Sequence, residues 1–265
     1  MSTRLPLLAF VLAAASTMPG LAGRRDAAVS PPSYVLVDAT TERVIDVRWE
    51  DFARPLPFGS LIKPFTALAY AGTHRFAYPT LTCRGTADGC WLAAGHGRIG
   101  IVDAVAGSCN TYFRKLAEAT APDALVDRLR WLGMRTASTT ATTASMVGYG
   151  DALKLAPAEI VHGYLELGLR AAQPGVPPIL QGLRRSAQEG TGREIGAAIG
   201  HAEAMVKTGT APCSHSPRAT ADGYTMVIYP ADRPRLALLM QAHGRTGAET
   251  AALAGPVLVR ALGGH

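Results

Sequence analysis

Short apolar runs near both ends of the chain predict the strands of a sheet. Residues 34–38 (YVLVD) and 44–47 (VIDV) are separated by a polar turn, which predicts a β-hairpin. The last third of the chain returns to this pattern, and strands are predicted there at residues 204–210, 224–229 and 236–241. A sheet that contains all five strands must be assembled from sequence-distant pieces.

The middle of the chain has the hydrophobic period of helices. Leu61, Phe65 and Leu68 fall on one helical face. The prolines at 177–178 predict a break in the chain, and the Thr-, Ala- and Ser-rich run 136–145 predicts an exposed loop. Helical spacing also predicts further helices around residues 112–116, 125–132, 157–165, 179–188 and 248–262.

Length and composition fit one folded domain. The chain has 265 residues, 48% hydrophobic and 17% charged, which excludes a disordered chain and a polytopic membrane protein. The apolar run 5–15 follows Arg4 and precedes small residues, as in an export signal, and it is shorter than the ~20 residues that span a membrane. We expect a signal peptide or N-terminal anchor at 1–22, a linker at 23–32 and a single domain at 33–265.

The net charge of +6 is carried mainly by arginine. Of the 26 cationic residues, only four are lysines, at positions 63, 115, 154 and 207. The arginines are scattered, with no basic run or aromatic-interleaved basic stripe, so we expect no nucleic-acid partner. Lysine can lose its proton inside a protein and act as a base, whereas arginine cannot, so the four lysines are the cations to inspect for chemistry.

The first candidate for chemistry is a serine followed by a lysine. Ser60 and Lys63 stand one helical turn apart on the same face, so a partly desolvated Lys63 can accept the Ser60 proton. Taken alone, such a pair is more often a helix cap and a surface lysine.

Two further short motifs follow along the chain. Ser108 and Asn110 precede a predicted helix, and the run KTGT begins at Lys207 near the end of a predicted strand. Each has a purely structural interpretation, as an N-cap for Ser108 or Asn110 and as a turn at Gly209. Together with the first pair, they follow the three-motif order of penicillin-recognising serine enzymes.

On these motifs, the sequence resembles the transpeptidase domain of penicillin-binding proteins. FGSLIKPF at 58–65 is similar to the family's active-serine segment, and GHG at 95–97 followed by SCNTYF at 108–113 is particularly similar to the cell-elongation class B members. The resemblance covers roughly residues 34–262. It implies an α/β (α+β) fold, with an antiparallel sheet flanked by terminal helices and an inserted all-helical subdomain, and makes 33–265 the catalytic domain.

The resemblance also implies a role for each motif residue. Ser60 is the expected acylated nucleophile, Lys63 its general base and Ser108 the proton shuttle to the leaving group. The other members are Asn110, which holds the substrate's amide, and Lys207, Thr208, Gly209 and Thr210, whose segment binds a terminal carboxylate. The backbone N–H groups of Ser60 and Thr210 are expected to form the oxyanion hole.

The sequence departs from the family pattern at three places. Phe58 stands where the family usually has proline, and Val206 stands where glycine is common. After Thr210, residues 211–217 (APCSHSP) lack the aromatic strand start of the family. The wall of the expected cleft that residues 211–217 would form is therefore predicted less well than the motifs are.

The cysteines leave three alternatives open, which are disulfides, a metal site and free thiols. In an exported protein, an even number of cysteines predicts disulfides, most simply Cys83 with Cys90. Cys83, Cys90, His96 and Cys109 also fall in one stretch, and a Cys₃His set suits structural zinc. Some elongation-type members are similar in carrying a metal beside the second motif. We expect no cofactor for the catalysis itself.

The resemblance implies a D,D-transpeptidase or D,D-carboxypeptidase that acts in peptidoglycan synthesis through a Ser60 acyl-enzyme. Two alternatives stay open: a β-lactamase-like hydrolase, and a catalytically weak scaffold or sensor in cell-wall assembly. The expected partners are a D-Ala-D-Ala stem peptide, β-lactams and other cell-wall synthesis proteins. The expected location is the periplasm or the outer face of the cytoplasmic membrane.

Overall fold

The strands of the protein are given by a computed structural model that describes residues 30–135, 140–201, 203–213 and 221–263. In chain order they are β1 Ser33–Asp38, β2 Val44–Arg48, β3 Leu81–Cys83, β4 Gly97–Ile99, β5 Met205–Ala211, β6 Asp222–Tyr229 and β7 Leu236–His243. Five of them form one antiparallel sheet in the order β2-β1-β7-β6-β5, and β3 pairs with β4 alone. The predicted sheet of sequence-distant strands is confirmed.

The helices lie on both faces of this sheet. They are α1 Lys63–Thr73, α2 Ile101–Ala106, α3 Asn110–Glu118, α4 Pro122–Trp131, α5 Thr143–Val147, α6 Pro157–Leu169, α7 Pro177–Glu189, α8 Arg193–Ala198 and α9 Gly247–Gly263. Short 3₁₀ turns stand at Gly59–Ile62, directly before α1, and at Gly85–Asp88. The described architecture is the α+β arrangement that the sequence predicts.

The central strands are buried on both faces. Along β1, Val35 and Val37 belong to the core shared with helices α1–α7, whereas Tyr34 and Leu36 belong to the core shared with α8 and α9. This alternation follows from the two-residue period of a strand. The sheet ends on one side at β2, which is exposed throughout, and on the other at β5.

One local prediction is wrong, and another is shifted by two residues. The exposed loop predicted at 136–145 contains the start of α5, and Ser145 is buried there because it closes a capping box with Thr142. Residues 136–139 of that run lie outside the described part. The break predicted at the proline pair 177–178 does separate two helices, since α6 ends at Leu169 and α7 begins at Pro177, but the prolines themselves form the first turn of α7, a position that proline fits.

The sequence gives no signal for the shortest elements. Strands β3 and β4 have three residues each, and helices α2 and α8 have six, too few to show a hydrophobic period. No helix in the described ranges is long and apolar enough to cross a membrane. The leader expected at 1–22 falls outside those ranges, and so does the linker up to residue 29.

Candidate active site

Two glycines place Ser60 beside strand β5. Gly59 has φ +55°, and a Cβ there would lie 2.3 Å from the carbonyl oxygen of Thr210. Gly148 has φ +96°, and its Cβ would lie 2.7 Å from the backbone nitrogen of Ser60. Only glycine permits both the left-handed backbone and the close approach at these points. Tyr164 fixes the turn further by donating a hydrogen bond of 2.8 Å to the Leu61 carbonyl.

Lys63 is completely buried at the start of α1. Its Nζ donates to the Ser108 carbonyl at 2.8 Å and to Asn110 Oδ1 at 2.6 Å, and it lies 3.3 Å from Ser108 Oγ. The alternative of a surface lysine is therefore wrong. Ser60 does not cap a helix either, because the 3₁₀ turn and α1 both begin without a side-chain cap.

Lys207 approaches Ser108 from strand β5 of the main sheet. It is also completely buried, and its Nζ donates to Ser108 Oγ at 2.8 Å and to the Thr208 carbonyl at 2.7 Å. The hydroxyl of Ser108 thus lies between the two buried lysine amines. The three sequence motifs meet at this oxygen, although they are separated by 45 and 99 positions along the chain.

Ser108 adopts an unusual backbone conformation. Its φ is +50°, in the left-handed region that non-glycine residues rarely enter. Helix α3 has Cys109 as its N-cap residue and no side-chain cap, so the N-cap interpretation of Ser108 and Asn110 is wrong. Both side chains are instead directed to the lysines. Strain of this kind persists where the surrounding structure holds a residue for a functional reason.

Burial changes the protonation of both lysines. Desolvation lowers the pKa of Lys63 to about 7, and nearby Cys109 and Cys90 partly oppose this shift. Desolvation, and secondly the charge of Lys63, holds the pKa of Lys207 well below its usual value. Two ammonium groups beside one hydroxyl disfavour each other, so one of the two lysines is readily neutral near pH 7.

A cavity of about 440 Å³ opens over these groups. The predicted residues Ser60, Ser108, Asn110, Thr208, Gly209 and Thr210 all line it. Four further side chains that sequence reasoning did not assign also line it: Trp91, Tyr149, Thr191 and Thr246. A pocket of this size fits a peptide end or a small molecule.

Two hydrogen bonds hold the β5 wall of the cavity. Thr208 Oγ1 donates to Thr191 Oγ1 at 2.6 Å, and Thr210 Oγ1 accepts from the Gly247 backbone N–H at 2.9 Å. Thr191 lies in the stretch GTG between α7 and α8. The only sequence signal for Thr191 as a site residue was the position of this stretch shortly before the KTGT strand. Gly247 begins α9 and carried no sequence signal at all.

The four predicted metal ligands converge beside the second motif. Cys83 Sγ and Cys90 Sγ lie 3.6 and 3.5 Å from His96 Nδ1, and Cys90 Sγ lies 3.9 Å from Cys109 Sγ. All four ligand atoms lie within 4.8 Å of one another, and all four cysteines of the chain are free in this structure. Four ligands of tetrahedral zinc are separated by about 3.6–3.8 Å, so the set fits this metal.

The sulfur atoms of the cluster differ in their surroundings. Burial alone would raise the pKa of Cys83, but hydrogen bonds with Thr111 and His96 outweigh it and lower that pKa to about 6. Burial raises the pKa of Cys109. A bound cation favours the thiolate form of every sulfur ligand, which is the usual coupling between metal binding and ionisation.

Trp91 connects the cysteine cluster to the cavity. Its indole N–H donates to the Gly107 carbonyl at 3.1 Å, its ring meets the His96 ring edge-on at 5.7 Å, and its side chain is half exposed. It is the residue after Cys90, in the β3–β4 hairpin that supplies three of the four ligands. Its place beside Cys90 was its only signal in the sequence.

The two departures within the described residues are accommodated by packing. Phe58 is buried and meets the Tyr224 ring edge-on, with 4.9 Å between the ring centroids. Val206 is buried in the core beneath α8 and α9. Of the third departure, residues 211–213 continue from the end of β5, and 214–217 lie outside the described residues.

Comparison with solved structures identifies the fold. The chain is similar to Pseudomonas aeruginosa penicillin-binding protein 2 in complex with WCK 5153 (TM-score 0.69, 17% identity, 86% of this chain and 69% of that one). It is also similar to Helicobacter pylori penicillin-binding protein 2 in complex with MreC (0.69, 14%, 88% and 61%). A third similar structure is the D,D-transpeptidase domain of a peptidoglycan glycosyltransferase from Eggerthella lenta (0.67, 16%, 89% and 78%).

No protein-family model and no curated protein sequence matches the chain. At 14–17% identity, the structural likeness is evidence for the fold alone. The chain has the fold of a penicillin-binding-protein transpeptidase domain, as its motifs predict.

Proposed function

We propose that the protein is a serine D,D-acyltransferase, a transpeptidase or carboxypeptidase that acts on peptidoglycan stem peptides through an acyl-enzyme at Ser60. The observation that carries the proposal is the contact of two buried lysines, Lys63 and Lys207, with one hydroxyl, Ser108 Oγ, in the cavity that Ser60 lines. A nucleophile, a base of shifted pKa and a proton relay are the groups that acyl transfer requires.

The first step is attack of Ser60 Oγ on the carbonyl carbon of the penultimate D-alanine. Lys63 takes the serine proton, because a pKa of about 7 leaves much of this amine neutral at physiological pH. The backbone N–H groups of Ser60 and Thr210 donate to the oxyanion that forms. Ser108 passes a proton to the departing amine of the terminal D-alanine, and the ester at Ser60 is then resolved by an amine or by water.

In this scheme Lys207 pairs with the terminal carboxylate of the substrate, together with Thr208 and Thr210. An arriving carboxylate raises the low pKa of Lys207, since an opposite charge favours the ammonium form. A charged Lys207 in turn disfavours the charge on Lys63, two contacts away through Ser108. Substrate binding thereby helps to keep the general base neutral when it is needed.

We further propose that Cys83, Cys90, His96 and Cys109 hold a structural zinc ion. The ion would fix the loop that carries Trp91. It would also fix Cys109, which stands between Ser108 and Asn110. The ion would take no direct part in the acyl transfer, because none of the four ligands lines the Ser60 cavity.

The location and partners proposed for the protein follow from its substrate. Stem peptides lie outside the cytoplasmic membrane, so the leader at 1–22 would deliver the chain to the periplasm or the outer face of that membrane. β-Lactams would acylate Ser60. Cell-wall synthesis proteins are the proposed macromolecular partners, supported by the similar structure in which a penicillin-binding protein is bound to MreC.

The experiment that tests the proposed reaction measures release of D-alanine from a pentapeptide stem ending in D-Ala-D-Ala. We expect release by the wild-type protein and none by Ser60→Ala. A matched peptide whose terminal carboxylate is replaced by a carboxamide should react at least about 100-fold more slowly, because Lys207, Thr208 and Thr210 lose their ionic partner.

A result in which the folded wild-type protein releases no D-alanine but is acylated by penicillin would replace the enzyme by a penicillin-binding sensor. Rapid release of intact penicilloic acid after acylation would replace it by a β-lactamase-like hydrolase. Equal rates with the carboxylate and carboxamide peptides would contradict the role of the KTGT segment.

A further inference from the structure

A second cavity adjoins the acyl-transfer cavity. This side cavity has a volume of about 610 Å³ and is lined by the β3–β4 hairpin, the end of α7, the start of α8 and the first turns of α9. Trp91, Thr191 and Ala248 line both cavities, so these three residues stand at the boundary between them. A space of this size fits a peptide side chain, whereas one water molecule needs only about 30 Å³.

The side cavity lies at the leaving-group end of the acyl-transfer cavity. Thr208 belongs to the segment that pairs with the terminal carboxylate of the departing D-alanine in the proposed reaction. Its Oγ1 donates to Thr191 Oγ1 at 2.6 Å, and Thr191 lines both cavities. Attack of an amine on the acyl-enzyme reverses the departure of the first amine, so the second amine has to arrive where the first one left.

The charged residues of the side cavity favour a cation. Three carboxylates and one guanidinium line it, whereas the chain as a whole has a net charge of +6. All four side chains are about half exposed or more, so a ligand in the cavity can reach them. Carboxylates grouped along a cavity raise the local concentration of cations. These charged residues are Glu189, Arg193, Glu194 and Glu249.

The three carboxylates differ in their partners. Glu249 Oε2 accepts from the backbone N–H and the hydroxyl of Thr246, at 2.7 and 2.9 Å. These hydrogen bonds, first that of the backbone N–H, hold the pKa of Glu249 below its usual value, so the group is ionised. Arg245 lies 3.9 Å from its other oxygen. Glu189 and Glu194 are each paired with an arginine nearby in the chain, and exposed pairs of this kind are weak.

Trp91 adds an aromatic surface at the boundary of the two cavities. Its indole N–H donates to the Gly107 carbonyl at 3.1 Å, which holds the ring in place, and the residue is 54% exposed. The face of an indole attracts ammonium groups. An amine that moves from the side cavity toward Ser60 therefore passes first the carboxylates and then this ring.

We infer that the side cavity binds the acceptor of the acyl group, a peptide whose primary alkyl amine enters as an ammonium ion, and that the protein is accordingly a transpeptidase rather than a carboxypeptidase. The inference rests on the proposed acyl-enzyme at Ser60 and names the group that resolves it. Glu194 and Glu249 attract the ammonium ion, and Trp91 guides it to the acyl-transfer cavity. A carboxypeptidase, whose acceptor is water, has no use for such a cavity.

The transfer step begins when the acceptor ammonium gives one proton to water. The buried lysine amines beside Ser108 favour the neutral acceptor, since like charges disfavour each other. The amine nitrogen attacks the ester carbonyl carbon, a C–N bond forms, and the C–O bond to Ser60 breaks. One amine proton passes through Ser108 and Lys63 to Ser60 Oγ. The products are an amide and free Ser60, and one proton has been released.

The test measures how the acyl-enzyme of the purified full chain divides between an amine and water. The donor is the pentapeptide stem ending in D-Ala-D-Ala. The two acceptors are a blocked tripeptide with one lysine side chain and the same peptide with an aminooxy group in place of that amine, which is neutral at pH 7. Mass spectrometry gives the ratio of amide product to hydrolysed stem. Both products come from one acyl-enzyme, so the ratio does not depend on the acylation rate.

With the lysine peptide, the ratio should fall about fivefold in the double variant Glu194→Gln/Glu249→Gln, because two exposed charge contacts are lost. With the aminooxy peptide, the double variant and the wild type should give the same ratio. Glu118→Gln is the matched control, since Glu118 is an exposed carboxylate that lines neither cavity, and it should behave as the wild type does. If melting curves show that the double variant is unfolded, Glu194→Gln alone decides, with an expected loss of about twofold.

Three results would overturn the inference and leave the acyl-enzyme intact. The first is a ratio for the lysine peptide that is the same in the folded variant and in the wild type. The second is an equal loss with both acceptor peptides, which would mean that the charge of the amine is not recognised. The third is an acyl-enzyme that only water resolves. Absence of any acyl-enzyme would overturn the proposed function itself, and the inference with it.

Discussion

Residues 108, 109 and 110 are adjacent in the chain but serve two different regions of the molecule. Ser108 and Asn110 contact Lys63, in a cluster that lines the acyl-transfer cavity. Cys109 faces the other way, toward Cys90 in the zinc-like cluster. The first region presents Ser108 and Asn110 to the cavity, whereas none of the four ligands of the second region lines it, and the second region is connected to the cavity through the backbone and Trp91.

The difference between the regions shows which groups can transfer protons and which can only hold neighbouring residues in place. In the lysine cluster, burial shifts the pKa values of the groups that transfer protons. In the cysteine cluster, the three cysteines are buried, the four ligands fit a metal, and none of them lines the acyl-transfer cavity. Substitutions in the lysine cluster should change the rate of acylation and leave the local structure nearly intact. Substitutions in the cysteine cluster should first disturb the local structure around the metal ligands.

The largest effect is expected from Lys63→Met, which removes the base but keeps an unbranched side chain of similar length. The rate of acylation by penicillin should fall by about 10²–10⁴-fold, the usual contribution of a general base. The measurement is the second-order rate of labelling, with a melting curve to show that the variant is folded. Lys115→Met is the matched control, because Lys115 is exposed and pairs with Glu118, away from the cavity. An unchanged rate in Lys63→Met would exclude Lys63 as the base.

A somewhat smaller effect is expected when the cysteine cluster is broken. Cys90→Ser should lower the zinc content of the purified protein from one ion per chain to none and lower the melting temperature by several degrees. Labelling should fall by about 10²-fold, because a displacement of 1 Å in Ser108 or Asn110 is enough for such a loss. Cys213→Ser is the control that should keep the metal. Absence of zinc in the wild type, together with a mapped Cys83–Cys90 disulfide, would contradict the zinc site and support the disulfide that the sequence also allows.

The pH dependence of acylation should report the general base directly. Below a pKa of about 7, the Lys63 amine is protonated and cannot accept the Ser60 proton. The labelling rate should therefore rise by about tenfold from pH 6 to pH 8 as the neutral fraction grows, and then level off. The same series with Lys63→Met should be flat. A wild-type rate that falls over this interval would mean that the reactive form of the site is the protonated one.

The smallest effect is expected at the edge of the lysine cluster. Thr191→Val keeps the shape of Thr191 but removes its hydrogen bond with Thr208 and its longer one, of 3.4 Å, to the Ala106 carbonyl. The loss of the short neutral hydrogen bond with Thr208, about 1 kcal/mol, should slow acylation by about fivefold. Thr73→Val, at the far end of α1, is the control and should leave the rate unchanged. A hundredfold loss in Thr191→Val would instead place Thr191 among the residues that touch the reacting atoms.

Much of the fold could be predicted because its main elements are long and periodic. The strands YVLVD and LALLMQAH are buried on both faces, and their apolar runs identify them without any structure. Strands β3 and β4, which bring Cys83 and His96 into place, are too short to show a pattern. The sequence gives little sign of the α5 helix because the helix has only five residues, and its Thr and Ser favour caps and loops unless a capping box and tertiary contacts stabilise a helix.

In the site, the sequence predicts the chemistry of the residues but not the groups that support them. The order of Ser60, Lys63, Ser108 and Lys207 is visible because lysine is rare in this chain. Thr191 and Trp91 are marked only by their positions next to other motifs, since threonine and tryptophan have many structural uses and only the folded chain brings them to the cavity. The contact of both lysines with Ser108 Oγ depends on tertiary packing and cannot be deduced from spacing.

The central claim is that Ser60 is the nucleophile of an acyl-transfer site. The most direct measurement is peptide mapping by mass spectrometry after incubation of the protein with benzylpenicillin, in parallel with Ser60→Ala. The account predicts one penicilloyl adduct, on the peptide that contains Ser60, and no adduct in a Ser60→Ala variant that melts like the wild type. A folded wild-type protein without an adduct, or an adduct that persists in Ser60→Ala, would contradict it.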